Sequence, residues 1–337
     1  MVAAGRSHSD RHSEHNHHVH IHGAADPPLL STERGIWAVK WSFVGLFATA
    51  VFQFVIALIS GSIALLADTI HNFGDAVTAI PLWVAFTLGR RKPSKRFTYG
   101  LGRVEDLAGV AIVLIILSSA IVAGYESINR LFHPQRVDHL WTVILASIIG
   151  FAGNEGVAIF RVKVGKEIGS AALIADGCHA RVDGFASLAV FVGALGIWMG
   201  YPLADPVVGF LITIMILRIV WQLGKSVLTR LLDGVDPEVI NEIRDAASHV
   251  SGVGNVSEVR VRWLGHRLRA ELSIAVNQGL SVEKGHEIAK DVRHELLHHL
   301  RYLSNATIHI DPANASGEEH HHIVEHVHDD LPAHSHS

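Results

Sequence analysis

Two stretches of the chain, 108 positions apart, repeat one polar pattern inside apolar surroundings. Residues 64–76 read ALLADTIHNFGDA and residues 172–184 read ALIADGCHARVDG, with six of thirteen positions identical. The identical set includes every acidic and imidazole group: Asp68 with Asp176, His71 with His179, Asp75 with Asp183. On a helix, i and i+4 sit about 40° apart and i and i+7 about 20°, so each triplet forms one polar stripe. Two such helices facing one another bring two imidazoles and two to four carboxylates together. Two imidazole nitrogens and two carboxylate oxygens suit a tetrahedral Zn2+, whereas Mg2+ and Ca2+ prefer all-oxygen shells. Ligand type alone leaves Co2+, Ni2+, Cd2+ and Fe2+ open. Binding needs neutral His and ionised Asp, so a metal arriving here displaces protons, and does so near neutrality.

The elements that must position these groups are membrane helices. Of 337 residues, 49% are hydrophobic and only 18% charged, and the mean hydropathy is +0.30. That balance is too apolar for an ordinary soluble domain. Six apolar stretches, each near the ~20 residues a spanning helix needs, fall at about 36–59, 62–88, 105–131, 138–160, 170–199 and 204–230. The repeated pattern lies on the second and the fifth. A carboxylate at the bilayer centre costs about 2.5–3.5 kcal/mol, so four would cost on the order of 10 kcal/mol if nothing answered them. A divalent cation or protons can answer them. Helix–helix hydrogen bonding is the plainer alternative, and it suits a lone His better than a duplicated D-x-x-H-x-x-x-D. A mid-membrane site trading metal for protons, and open to each side in turn, is a metal/proton antiporter.

Orientation follows from basic residues in the short loops. Arg90, Arg91, Lys92, Lys95, Arg96 and Arg103 follow the second span, and Arg161, Lys163 and Lys166 follow the fourth. The turns at Gly61–Ser62 and Gly200–Pro202 have none. Even-numbered spans are therefore expected to end in the cytoplasm, with both termini there. The absence of a signal peptide suggests a bacterial inner membrane as the location.

Four segments are expected. Residues 1–34 form a His-rich disordered tail, 35–232 the six-span transport domain, 233–312 a soluble domain, and 313–337 a second His-rich disordered tail. In the soluble part, Asp236-Pro237 reads as an N-cap and first-turn proline opening a helix to about His249. Residues 256–263 and 268–276 alternate as strands around a turn at Gly265, a second helix runs 281–300, and 306–310 alternates again. The order αββαβ implies a small α+β domain, ferredoxin- or metallochaperone-like, with helices on one sheet face. The tails hold fourteen of the 25 His and cannot build a core. With a net charge of −4 there is no basic footprint for nucleic acid, and one Cys rules out a disulfide framework.

Paired H-x-x-x-D motifs on spans two and five, the loop R-F-T-Y-G-x-G-R-x-E at 96–105 and the αββαβ tail resemble the cation diffusion facilitator family over about 36–312. The resemblance implies that His71, Asp75, His179 and Asp183 bind the transported ion. It implies Zn2+ as that ion, because His rather than Asp opens the motif on span two. It also implies a homodimer exchanging metal for H+. Several relatives bind additional, regulatory zinc in the cytoplasmic domain. The candidates for that here are His309 and Asp311, which i, i+2 spacing puts on one sheet face, with His286 on the second helix. Ser257 and Ser273 stand where some relatives have His, so His266 in the hairpin is the candidate substitute.

Other residues receive smaller roles. Asp68 and Asp176, one turn before the paired His, are read as outer-shell acceptors or proton relays rather than direct ligands. Arg181 faces away from His179 and is expected to pair with Glu155 of span four. Asp205 before Pro206 reads as a cap, and Trp37, Trp141 and Trp198 as interfacial anchors. The resulting expectation is a transporter, not an enzyme: neither H-E-x-x-H nor repeated H-x-x-H boxes occur in the membrane part. The competing readings are a Co2+, Ni2+ or Cd2+ exporter of the same family and a membrane metal sensor that transports nothing.

Overall fold

The structure is a computed structural model that describes residues 27–60, 79–132, 140–201, 203–314, 323–326 and 334–336. The membrane part is helical: α1 (Pro27–Ser60), α2 (Ala79–Gly89), α3 (Val104–Phe132), α4 (Leu140–Ile168), α5 (Ala171–Trp198) and α6 (Ala204–Leu231). Among the described residues five helices are long and apolar enough to cross a membrane, all but α2. Of the expected second span only 79–88 is described, within the short apolar helix α2. Large apolar side chains such as Phe52, Leu114, Ile121 and Trp221 are exposed, as suits helices solvated by lipid.

Two helix starts are built differently from the sequence expectation. Helix α1 begins at Pro27, inside the expected tail. Proline is tolerated in a first helical turn, and the added turns are held from outside, since buried Thr32 touches the C-terminal domain. Asp205 does not cap α6. Leu203 occupies that position without a side-chain bond, and Asp205 instead lies 3.3 Å from Arg130.

The C-terminal part follows a linker in which Asp233 has φ 61 and pairs with Arg103. Its order is α7 (Pro237–Ser248), β1 (Asn255–Leu264), β2 (Arg267–Val276), α8 (Val282–His299) and β3 (Leu303–Pro312). Asp236 caps α7 ahead of Pro237, and Ser281 caps α8. The sheet order is β1-β2-β3, with β1 antiparallel and β3 parallel to β2. A parallel pair requires a crossover, and α8 supplies it. Ile243, Val292 and Leu296 on the helices pack against Trp263, Leu272 and Ile274 on the sheet to form its core. The second tail, expected to be disordered, contains a small antiparallel pair, β4 (Ile323–His326) with β5 (His334–His336); the β-branched Ile323-Val324 favours extended backbone.

Candidate metal site in the membrane domain

Helix α5 starts at an N-cap, Ser170, whose hydroxyl accepts from Leu173 N at 3.0 Å. It lies against α4 at close range because its inner face is small. A Cβ on Gly177 would meet Val162 N at 2.9 Å and Arg161 Cβ at 3.0 Å. Close approach of two helices at small residues is the usual means of packing in a bilayer. It turns the polar stripe of α5 inward. His179 is 2% exposed and Asp183 9%, and their Nδ1 and Oδ2 are 3.6 Å apart, one turn along the helix. An imidazole and a carboxylate so placed can share a proton or grip one face of a metal ion.

Asp176, on the same stripe, has a different neighbour. Arg161 of α4 lies 3.0 Å from it, and the two side chains are 1% and 0% exposed. The sequence reading counted Arg161 as a loop charge after the fourth span, but α4 continues to Ile168 and carries Arg161 into the protein. Val157, Ala158, Val164 and Gly165, at i−4, i−3, i+3 and i+4, are all buried with it. Asp176 is therefore engaged by a fixed cation, which disfavours a role as a free proton relay.

Further polar groups surround the stripe. Asn154 is buried beside Gly184, the residue after Asp183. Gln53 of α1 is buried and donates to Ala146 O at 3.2 Å. The sequence reading passed over Gln53, although it is the one side-chain amide in the apolar run of the first span. Arg181 binds Glu155 through Nε, at 3.1 Å and 3.2 Å to its two oxygens, and through a terminal nitrogen at 2.9 Å.

The second span's contribution, Asp68, His71 and Asp75, lies outside the described residues. Among the described residues no group of three or more His, Cys, Asp or Glu is gathered that could hold a metal ion. In the cytoplasmic domain, His309 Nε2 is 3.0 Å from Asp311 Oδ1 at the end of β3, and His286 is exposed on α8.

His266 does not join them. It lies two residues before the Leu268–Leu303 pair, and six residues of β3 separate Leu303 from His309, about 20 Å at ~3.3 Å per residue. Its buried ring sits at the joint with the membrane domain: Nδ1 is 2.6 Å from Glu105 Oε2 and Nε2 is 3.1 Å from Thr32 Oγ1. The backbone N–H groups of His266 and Gly265 donate to Glu105 and Asp106 at 3.2 Å and 3.1 Å. The hairpin tip is thus seated on two carboxylates at the start of α3.

Comparison with known proteins adds the following. Residues 39–232 match the cation efflux transmembrane domain, and residues 235–313 match the cation efflux protein cytoplasmic domain. The probable cation efflux system protein Rv2025c of Mycobacterium tuberculosis is 52% identical over 297 residues, which is 87% of this chain and 90% of that protein. The manganese efflux system protein MneP of Bacillus subtilis is 25% identical over 296 residues, 84% of this chain and 99% of that one. A solved MamM CTD in a cadmium form covers 22% of this chain and 94% of its own at 31% identity, with a TM-score of 0.22.

Proposed function

The chain belongs to the cation efflux family, whose members are divalent-cation transporters and not enzymes, and from that premise we propose that it exports Zn2+ from the cytoplasm in exchange for H+. The ion is held by His71 and Asp75 of the second of six spans and by His179 and Asp183 of α5. The observation that carries this reading is the His179–Asp183 pair, 3.6 Å apart and buried inside the membrane domain. A charged carboxylate at that depth needs a counter-charge. A proton on the imidazole supplies one, and a metal ion that expels the proton supplies another. A site that is answered by one or the other is suited to exchange.

Zinc is preferred over manganese on ligand type. Imidazole suits Zn2+, while Mn2+ favours carboxylate, carbonyl and water oxygens. The relative named for manganese efflux motivates Mn2+ as the second reading. Both termini are proposed to face the cytoplasm, because the start of α1 touches the cytoplasmic domain through Thr32 and His266. We place the protein in a bacterial inner membrane as a homodimer, with His309, Asp311 and His286 available to regulatory zinc.

The test is flux. Proteoliposomes carrying a zinc dye and a pH dye should report Zn2+ entry with counter-moving protons. Either His71→Ala or His179→Ala should reduce it by at least about 100-fold, more than the 10–100-fold typical of losing an outer-shell partner. Excess Mn2+ should compete poorly. Zinc flux that persists in both variants removes the proposed site, and flux without a pH change removes the exchange.

A further inference from the structure

Helix α8 carries a set of metal-ligating residues that the transport reading does not use. Residues 294–298 read HELLH, an H-E-x-x-H pattern. Its two histidines are one helical turn apart and therefore lie on one face. Both are exposed, and their rings meet at 4.3 Å between centroids with planes 62° apart. Among the described residues neither ring is held in a hydrogen bond or an ion pair. His299 differs, since its Nε2 lies 3.7 Å from Glu242 of α7.

The opposite face of the same turns fixes the helix. Val292 and Leu296 are fully buried in the core of the C-terminal domain, and Leu300 is nearly so. The Leu300 N–H donates to Leu296 O at 3.0 Å. The backbone that spaces the two imidazoles is thus ordered beforehand, and an arriving ion has only two side chains to immobilise. Rings already in contact need only turn about their χ angles to aim nitrogens at one ion, at the ~2.0–2.1 Å of a Zn–N bond. Charge does not oppose this, because Asp291 and Glu295 offset Lys290 and Arg293. The helix ends at His299, and the partial negative charge of a helix C-terminus favours a cation in its last turn.

The ligand type selects the ion. Imidazole suits Zn2+, Ni2+ and Cu2+, whereas Mg2+ and Ca2+ keep oxygen shells. In zinc peptidases this pattern holds the metal while its Glu acts as general base. That chemistry also needs a third protein ligand and a concave pocket. Here the pattern stands on an open helix face, and no third ligand is gathered among the described residues, so it serves binding alone. Two protein ligands leave half of a tetrahedral shell to water, which makes the ion exchangeable. His286 of the same helix is eight residues earlier, about 12 Å along the axis, too far to join.

We propose that His294 and His298 chelate one nitrogen-preferring divalent ion, of the class of Zn2+, Ni2+ and Cu2+, in an exchangeable site on the surface of the C-terminal domain. The site is independent of the one in the membrane domain and stands whichever ion that one carries.

The test uses the full chain, purified in detergent, at buffered free Zn2+. Modification of each histidine by diethyl pyrocarbonate, read residue by residue by mass spectrometry, separates these two rings from the rest of the 25. His294 and His298 should be protected with one shared half-point, and at ten times that concentration both should react about tenfold more slowly. H294Q should raise the half-point of His298 by at least about tenfold, since losing even an outer-shell partner costs about 10–100-fold. H299Q, at a neighbouring exposed imidazole, should leave it within about threefold; Gln keeps the helix propensity in both variants. Mg2+ in place of Zn2+ should protect neither ring. No protection by Zn2+, unequal half-points in wild type, or equal protection by Mg2+ overturns the proposal. So does a His298 half-point that H294Q leaves in place, or that H299Q moves as far as H294Q does.

Discussion

Replacing Asp176 by Asn removes a charge from a place where its partner cannot follow. Arg161 lies 3.0 Å away, and neither side chain reaches solvent. A guanidinium does not deprotonate in a protein, so the variant leaves a buried cation unanswered. Breaking a buried pair from one side costs about 3–5 kcal/mol, and at ~2 °C per kcal/mol for a large domain this lowers the melting temperature by about 6–10 °C. The mirror variant, Arg161→Met, is milder, because an orphaned carboxyl can take up a proton. Removing both charges together, as R161M/D176L, should return stability to within about 1 kcal/mol of wild type or raise it. The assay is thermal unfolding of the four detergent-purified proteins, followed by zinc flux in vesicles. If the pair is structural, the double variant keeps its flux within about threefold, a barrier change of roughly 0.6 kcal/mol. A D176N protein melting with wild type, or a double variant as unstable as D176N, refutes the energetics. Recovered stability with abolished flux refutes the structural role and restores Asp176 to the proton path.

Two further outcomes are expected. Gly265 has φ +63, and a Cβ there would lie 2.6 Å from Glu105 Oε2 and 2.7 Å from Gly102 O; Gly265→Ala should therefore cost about 1–3 kcal/mol. Hydrogen exchange should then quicken in the hairpin and in residues 97–103, and unchanged protection would mean the hairpin is not seated as described. For Arg181 and Glu155, joined at 2.9 Å by a forked contact, a cycle of R181Q, E155Q and both should give a coupling of about 1 kcal/mol in unfolding. Strictly additive effects would show the contact to be idle.

What the sequence disclosed, and what it hid, divides along one physical line. The stripe on α5 was legible because helix period alone decides which residues share a face, and 176, 179 and 183 share one whatever packs beside them. Arg161 was hidden because a basic residue ending an apolar run reads as a loop charge. Only the continuation of α4 to Ile168 and its contact with Gly177 bring it inside. The start of α1 was hidden for a similar reason: Pro27-Pro28 reads as tail, and its helicity is supported through Thr32 by a residue more than two hundred positions away. His266 was misplaced because residue type suggested a ligand, while the direction of the hairpin, a tertiary fact, sends its tip to the start of α3. In the cytoplasmic domain local signals sufficed. Asp236-Pro237 and Ser281 open their helices where capping chemistry requires.

The joint and the membrane stripe are also less separate than their positions suggest. Glu105 Oε2 holds the His266 ring at 2.6 Å, while its Oε1 accepts from the Ser170 hydroxyl at 2.5 Å. Ser170 is the N-cap of α5, so one carboxylate fastens the cytoplasmic hairpin and the first residue of the helix that carries His179. Nine residues at 1.5 Å rise separate Ser170 from His179, about 14 Å of continuous helix. Tyr302 reinforces the arrangement from the other side, its hydroxyl donating to Lys166 O at 3.0 Å, and Arg230 of α6 stacks over Trp263 of β1 at 4.1 Å. A helix is stiff over that length. Tilting the hairpin relative to the membrane domain must therefore either break the Glu105 contacts or move the start of α5, and with it His179. Coupling between the cytoplasmic domain and the proposed ion site accordingly requires no long relay of side chains; it requires that Glu105 stay bonded to both His266 and Ser170 while the domains shift.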